Sequence, residues 1–312
     1  MATKLKDVAQ LAGVSVTTVS RVINNNPVIS EKTVLKVREA MRALNYQPNA
    51  LARAMQGKSS RFIGLILPNL TNPFYAELVN VIERKLFKKR YKAIIASSAN
   101  NEQIEHEYLG MLMANQVEGV ISSSHNLGIE EYSQASAPIV SFDRYLADSV
   151  PTVSADNAAG GRYVAQYMVD HGATRVALMS EDDSSNSPTI ARTTESIKIL
   201  EANGIKYESI PVDAEVSADL FPGDFDGVIA SNDVTALQIA RLARDEGRKP
   251  FEDFLITGYD GSEFVRDICP ELPTVVQPID EIADRLIDTL LAQCEDGAEM
   301  PAPEILPVKF ED

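Results

Sequence analysis

Ser15, Val16, Thr17, Thr18, Ser20 and Arg21 fall within GVSVTTVSRVINNNPVIS (residues 13–30), a segment with one guanidinium, several hydroxyls and no carboxylate. On one helical face, such side chains can read the edge of a nucleic-acid duplex. Arginine can grip O6 and N7 of a guanine together, valine and threonine methyls can meet thymine methyls, and hydroxyls can reach phosphates or bases. Asn24 and Asn25 follow directly and are placed for phosphate or groove contact. The competing reading is an amphipathic helix with a solvated polar face. A second stretch, NYQPNALARAMQGKSSR (45–61), favours helix in its Ala, Leu and Arg content but lies between Pro48 and Gly57. A segment that short is marginal as an isolated helix. It is either a plain linker or a segment that orders on DNA, with Met55 as an apolar wedge into the minor groove.

The elements around these residues follow from spacing. Leu5, Val8, Ala9 and Ala12 recur at helical intervals and stop at Gly13. Ser15 can cap a second helix whose Val19, Val22 and Ile23 face inward, and Asn24-Asn25-Asn26-Pro27 breaks it. Ser30 can cap a third, with Val34, Val37, Met41 and Leu44 at steps of three and four. Two helices joined by the tight AGVS turn and supported by a third predict a helix-turn-helix.

Charge separates this head from the rest. Residues 1–60 hold nine bases and three acids, a balance of +6, whereas the remaining 252 residues hold 20 bases and 42 acids, −22. A basic module on an acidic body predicts that the head alone docks on a polyanion.

From Phe62 onward apolar runs alternate with amphipathic helices. FIGLILP, KAIIASS, GVISSS and PIVSFD form one series; a second begins near residue 152 and includes RVALMSE, DGVIASND and FLITGYDG. Continuous apolar strands with helices between them imply parallel sheets covered on both faces. The expected architecture is an all-α helix-turn-helix head plus an α/β core of two doubly wound parallel-sheet lobes, with ligand at the carboxyl ends of the strands. The expected boundaries are 1–47 for the head, 48–60 for a hinge and 61–312 for the core. Within the core, lobes are expected at about 61–150 and 151–280, with 281–312 crossing between them.

Several functions are disfavoured. The chain has no P-loop, no GxGxxG after a strand, no GxSxG and no HExxH, so neither an enzyme nor a cofactor is expected. AAGGRYVAQYM (158–168) resembles a phosphate loop only superficially, and its two glycines are read as easing a helix start. His106, His125 and His171 are scattered, and Cys269 and Cys294 show no ligand spacing, so no metal is expected. No apolar run reaches the ~18 residues of a membrane span, and MATKLKDVAQ lacks an apolar signal core. The expected location is the cytoplasm, at the nucleoid, with no membrane partner.

LKDVAQLAGVSVTTVSRVINNNPVISEKTVLKVREAMRALNYQPNALARAM resembles the DNA-binding head and hinge of the lactose/galactose repressor (LacI/GalR) family. The likeness continues through IGLILPNLTNPFYAELV, GYDG and VVQPIDEIADRLIDTLL and so covers essentially the whole chain. QVEGVISSSHNLGIEEY, SAPIVSFDR, SSNSPT and ITGYDGSEFV are most similar to the sucrose-operon repressors of that family.

The resemblance implies a periplasmic-binding-protein-like core and a homodimer on a pseudo-palindromic operator, with affinity controlled by a small sugar between the lobes. It places Val16 and Thr17 at the main specificity positions and Arg21 at a further base contact. It puts Met55 where many members carry a wedging leucine. Thr3, Tyr46, Asn49, Ala52 and Arg53 complete the expected DNA contacts. The expected effector residues are Asn69, Asn72 and Phe74 after the first strand, Ser123 after the third and Asp143 after the fourth. From the second lobe come Asn186, Arg192, Asn232, Asp260 and Gln277. Carboxylates, amides and arginine suit sugar hydroxyls, and an aromatic face suits the ring. Each also has a plainer reading: Asn232-Asp233 and Asp260 as helix caps, Asn72-Pro73 as a turn, Phe74 as core. Sucrose, fructose and a sugar phosphate are the effector candidates, with sucrose or fructose favoured; Asp143 and Asp260 fit neutral hydroxyls better than a phosphate, which favours an unphosphorylated sugar.

Two departures from the family stand out. The segment between YESIPVDAEVSADLF and DGVIASND lacks most of one helix, which leaves Phe221 as a weak substitute for a pocket aromatic. The ending ILPVKFED carries no leucine-rich tail, which predicts a dimer. Two alternatives remain: a catabolite regulator that needs a phosphoprotein corepressor, and a sugar-binding protein of transport.

Overall fold

The structure is a computed structural model; it describes residues 3–23, 26–46, 60–126, 128–180, 187–212, 216, 225–294 and 301–312. The chain divides into two compact units, Met1–Ser60 and Arg61–Asp312.

In the first unit, helices α1 (Leu5–Ala12), α2 (Val16–Ile23) and α3 (Glu31–Ala43) surround Val8, Ala9, Ala12, Val19, Val22, Val37 and Ala40. Gly13 ends α1 with φ 67°, a left-handed conformation that costs glycine nothing because it has no Cβ. Ser15 Oγ accepts the Thr18 amide at 3.1 Å, and Ser30 Oγ accepts that of Thr33. Each serine thus satisfies an amide that its helix leaves unpaired.

In the second unit the strands are β1 (Phe62–Leu67), β2 (Lys92–Ser97), β3 (Gly119–Ser122), β4 (Ile139–Phe142), β5 (Thr152–Ala155), β6 (Arg175–Ser180), β7 (Lys206–Pro211), β8 (Gly227–Ile229), β9 (Leu255–Asp260), β10 (Thr274–Val276), β11 (Glu304–Leu306) and β12 (Lys309–Glu311). The helices are α4 (Pro73–Lys88), α5 (Glu102–Ala114), α6 (Glu131–Gln134), α7 (Asn157–Asp170), α8 (Ile190–Ala202), α9 (Asp233–Asp245), α10 (Glu263–Ile268) and α11 (Ile279–Ala292).

Two six-stranded sheets result, in the orders β11-β5-β4-β3-β1-β2 and β12-β10-β9-β8-β6-β7. Neighbouring strands run parallel except β12, which is antiparallel to β10. The two orders repeat one doubly wound pattern, in which strand order reverses beside β1 and beside β6. Crevices for ligands open at such points, outside the strands' carboxyl ends. Helices α4 and α11 pack on one face of the first sheet through Phe74, Leu78, Ile82, Leu86, Ile282, Leu286 and Leu290. Leu109, Leu112 and Tyr132 pack with Ile66 and Val120 in a separate core of the same lobe. The second sheet is covered in the same two-faced way.

The lobes are not the contiguous segments that the sequence pattern suggests. Thr152–Ala155 looks local to the second series, yet β5 pairs with β4 in the first sheet, Ser141 opposite Thr152. The chain therefore crosses between lobes three times: from β5 to α7, from β10 to α11, and from β11 to β12. Strand partners are chosen by long-range pairing, which a local apolar run cannot reveal. Gly160 and Gly161 also differ from their expected role. They lie buried inside α7, where a Cβ on Gly160 would collide with Tyr259 Oη and one on Gly161 with the Arg192 carbonyl oxygen. Close approach of α8 and Tyr259, and not the start of a helix, requires glycine at both positions.

Candidate functional site

Two sites emerge, one in each unit. In the first, the AGVS turn sets α2 so that Val19 and Val22 point inward and Ser15, Val16, Thr17 and Arg21 stand exposed. Thr18 and Ser20 are half-buried, and the Thr18 hydroxyl sits 2.8 Å from that of Ser15. Thr3 has a structural contact here, its hydroxyl donating to the Leu44 carbonyl at 3.2 Å. Tyr46 is half-buried against the helical core, and burial pushes its hydroxyl pKa up. Asn24, Asn25, Asn49, Ala52, Arg53 and Met55 lie outside the described residues.

In the second unit, a cavity of about 270 Å³ lies between the two lobes. It approaches the range typical of small-molecule sites, ~300–1,000 Å³. Its walls bring together Asn69, Asn72, Phe74, Asp143, Arg192, Asn232, Asp260 and Gln277. Ser123 is not among its lining residues: it is 2% exposed, and its hydroxyl donates to the Phe142 carbonyl at 3.3 Å. Asn186 and Phe221 lie outside the described residues.

The plain and the functional readings of these side chains hold together. Asn72 caps α4, accepting the Phe74 amide at 2.9 Å, and its Nδ2 reaches Asp260 Oδ2 in the other lobe at 3.4 Å. Asn232 caps α9 through the Thr235 amide at 3.0 Å while facing the cavity. Phe74 is 2% exposed and belongs to the first lobe's core, with its ring 5.9 Å from that of Phe142. A helix end points its cap at the cleft because both sheets end there, so capping and lining coincide.

Charges in the cleft are arranged across the lobes. Arg192 Nη2 donates to Asp143 Oδ2 at 3.2 Å, and its guanidinium carbon stacks 3.6 Å over the Tyr259 ring. Burial nevertheless raises the Asp143 pKa, against the opposing pull of Arg192 and Asn157. Asp260 accepts Gln277 Nε2 at 2.8 Å; burial raises its pKa too, with Arg192 opposing. Asp233, fully enclosed behind it, is raised by burial and by repulsion from Asp260. Gln277 Oε1 is buried with no hydrogen-bond partner among the described residues, an acceptor suited to a ligand hydroxyl. Asp143 and Asp260 both hold left-handed backbone conformations, φ 54° and 110°. Strain of ~1–3 kcal/mol at such residues persists where the surroundings fix them, and it clusters at functional sites.

Sequence reasoning missed Tyr75, Asn100, His125, Phe142, Arg144, Thr189, Val212 and Ser231, which also line the cavity. Arg144 Nη1 donates to Thr189 Oγ1 across the lobes at 2.6 Å, and Nη2 lies 3.1 Å from His125 Nε2. Tyr75 Oη is 3.0 Å from the same nitrogen, and burial pushes the Tyr75 pKa up to about 12. The strand-end rule that marks Asp143 also reaches Arg144, Asn100 and Ser231, each just past a strand.

Residues 4–49 match the pattern of bacterial regulatory proteins of the lacI family. Residues 60–268 match periplasmic binding proteins and the sugar binding domain of the LacI family. The chain is 46% identical to the sucrose operon repressor of Streptococcus mutans, covering 99% of this chain and 98% of that one. It is 44% identical to that of Pediococcus pentosaceus, again over 99% and 98%. The Lac repressor dimer bound to operator and the anti-inducer ONPF superposes with a TM-score of 0.81 at 25% identity, covering 100% of this chain and 98% of that chain. Taken with the three-helix head and the two-lobed cleft, these matches show that the chain belongs to the LacI family of bacterial regulatory proteins.

Proposed function

We infer that this protein is the DNA-binding repressor of a carbohydrate-utilisation operon, held on a pseudo-palindromic operator as a homodimer and released by a small sugar, with sucrose or fructose favoured. The observation that carries the reading is the interlobe cavity, where Asp143, Arg192, Asp260 and Gln277 converge beside Phe74 and Phe142. Acids and amides bind sugar hydroxyls in pairs, and an aromatic face accepts the apolar side of a ring. Residues 1–47 act as the reader and 48–60 as the hinge that links it to the cleft. Dimerisation draws support from exposed apolar side chains on the first lobe, Phe87, Ile95, Ile104 and Met111. In this reading the chain performs no catalysis and acts in the cytoplasm, at the nucleoid. No described helix is long and apolar enough to cross a membrane.

Two heads on successive major grooves sit about 34 Å apart. Sugar releases them only by favouring the non-binding arrangement of lobes; a shift from 1:99 to 99:1 takes ~5.5 kcal/mol of differential affinity. The test is fluorescence anisotropy of a palindromic duplex at fixed salt, repeated with sucrose, fructose, glucose and their phosphates. Tight binding weakened by one sugar is the expected result and identifies the inducer. Tight binding indifferent to all of them shifts the reading to a phosphoprotein-dependent regulator. Absence of binding at low salt overturns the repressor reading.

A further inference from the structure

The two charged anchors of the cleft come from opposite lobes, and one neutral side chain joins them. Asn157, the first residue of α7, lies just past the first crossing between lobes and is 3% exposed. Its Nδ2 donates to Asp143 Oδ1 at 2.8 Å and to the Ala155 carbonyl at 3.0 Å. Its Oδ1 accepts Arg192 Nε at 2.5 Å and Tyr259 Oη at 3.5 Å. Both amide protons and both lone pairs are used. Rotating the amide by half a turn would set its NH₂ against the guanidinium and its oxygen against the Asp143 carboxylate and the Ala155 carbonyl. The neighbours therefore fix its orientation.

The glycine pair serves the same contact. Arg192 belongs to α8, and its carbonyl oxygen would collide with a Cβ at Gly161. Gly160 leaves room for the Tyr259 hydroxyl, which a Cβ there would strike. Close packing of α7 on α8 brings Arg192 Nε within reach of Asn157, and Tyr259 supports the guanidinium from below at 3.6 Å.

We propose that Asn157 is a positioning residue that couples the lobes through the cleft, binding the first-lobe carboxylate Asp143 and aligning the second-lobe cation Arg192 at once. No other side chain of this size does both. Aspartate keeps the acceptor for Arg192 but loses both donors and repels Asp143; leucine loses both functions; serine is too short to span them. The consequence for sugar recognition rests on the cleft reading above, whereas the coupling itself is measurable without any sugar.

The test uses the full chain carrying ¹⁵N-labelled arginine, with the Arg192 Nε–H signal assigned by its loss in Arg192→Lys. A second readout is the interlobe distance between spin labels at Glu107→Cys and Arg241→Cys in a Cys294→Ser background. In the parent protein, Nε–H exchange is slow and the distance distribution narrow. Asn157→Ala speeds that exchange at least tenfold and broadens the distribution. Asn157→Asp retains slow exchange but broadens the distribution, a split that mere loss of packing does not produce. It also serves as the working variant if the alanine form does not fold. Unchanged exchange and distance in Asn157→Ala, or both readouts moving together in Asn157→Asp, overturn the proposal. Sugars that fail to move operator binding in the parent protein overturn the effector reading alone and leave these two readouts intact.

Discussion

On α2 the proposed reading side chains Val16, Thr17 and Arg21 stand exposed, whereas each charged side chain lining the cleft is already engaged with another residue. Arg192 holds Asp143 and Asn157, Asp260 holds Gln277 and Asn72, and Arg144 holds Thr189. The difference follows from what each region meets. A duplex brings its own dense row of charges and hydrogen-bonding edges, so the reader waits in water at little cost. A small ligand, as the cleft is proposed to take, brings few contacts, so the cleft must be organised beforehand, and its buried polar groups need partners while it waits. Substitutions in the cleft should therefore change stability along with recognition, and those on the reader should change recognition alone.

The largest expected effect is at Arg192. Arg192→Ala removes the ion-paired partner of the buried Asp143 carboxylate, leaving only the more weakly acting Arg144, and takes from Asn157 Oδ1 its closest donor. Removing one partner of a buried pair costs about 3–5 kcal/mol. Chemical denaturation at pH 7 measures the loss; a change under ~1 kcal/mol, the worth of an exposed pair, would erase the contrast between cleft and reader.

Asp260→Asn sharpens the contrast from the other side. Operator binding is expected to persist while the sugar response is lost. Its stability effect depends on pH with a definite sign. The folded protein raises the Asp260 and Asp233 pKa values, by burial first, so these acids favour folding fully below the ordinary carboxylate range. That contribution disappears as pH climbs from the ordinary range towards neutrality. Asparagine at 260 removes one titrating group and relieves the repulsion on Asp233. The variant's stability should fall less over that interval, which urea melts at pH 4, 5.5 and 7 would show. An equal fall in both proteins would clear Asp260 of the linkage.

Arg21→Ala is the matching experiment on the reader. Loss of a bidentate guanine contact is worth ~1–3 kcal/mol of operator affinity. Stability should stay within ~0.5 kcal/mol, as at other exposed positions. Unchanged affinity in the anisotropy titration would remove Arg21 from the readout.

The same contrast explains what could be read from sequence. The proposed readers sit within one six-residue stretch, so Val16, Thr17 and Arg21 follow from one helical face and one turn. Apolar runs mark β1, β3, β4, β6, β8 and β9 because these strands are buried on both faces. The cleft is assembled from residues as distant in the chain as Asn69 and Gln277, and Asn72 meets Asp260 across 188 positions. Only the strand-end rule and the family resemblance pointed at them. Asn157 and Tyr259 escaped both, because a buried amide and a buried tyrosine look in sequence like any helix start and any core strand. Residues 152–155 read as the start of the second lobe yet pair in the first for the same reason: pairing is a long-range property.

Ser15 is where the contrast is weakest, since this side chain caps α2 and also stands on the proposed reading edge. Two substitutions separate its roles. Ser15→Ala removes the acceptor for the Thr18 amide and should lower the head's stability by about 1 kcal/mol. Ser15→Asp keeps an acceptor there and adds a negative charge at a helix N-terminus, which favours the fold by ~0.3–1 kcal/mol. The same charge faces the phosphates of a bound duplex, so operator affinity should fall, most steeply at low salt where screening is weakest. A head that melts higher and binds worse in Ser15→Asp would show that capping and reading are separable even in one hydroxyl. If Ser15→Asp binds as tightly as the parent at low salt, the residue is a cap alone, and the reading edge begins at Val16.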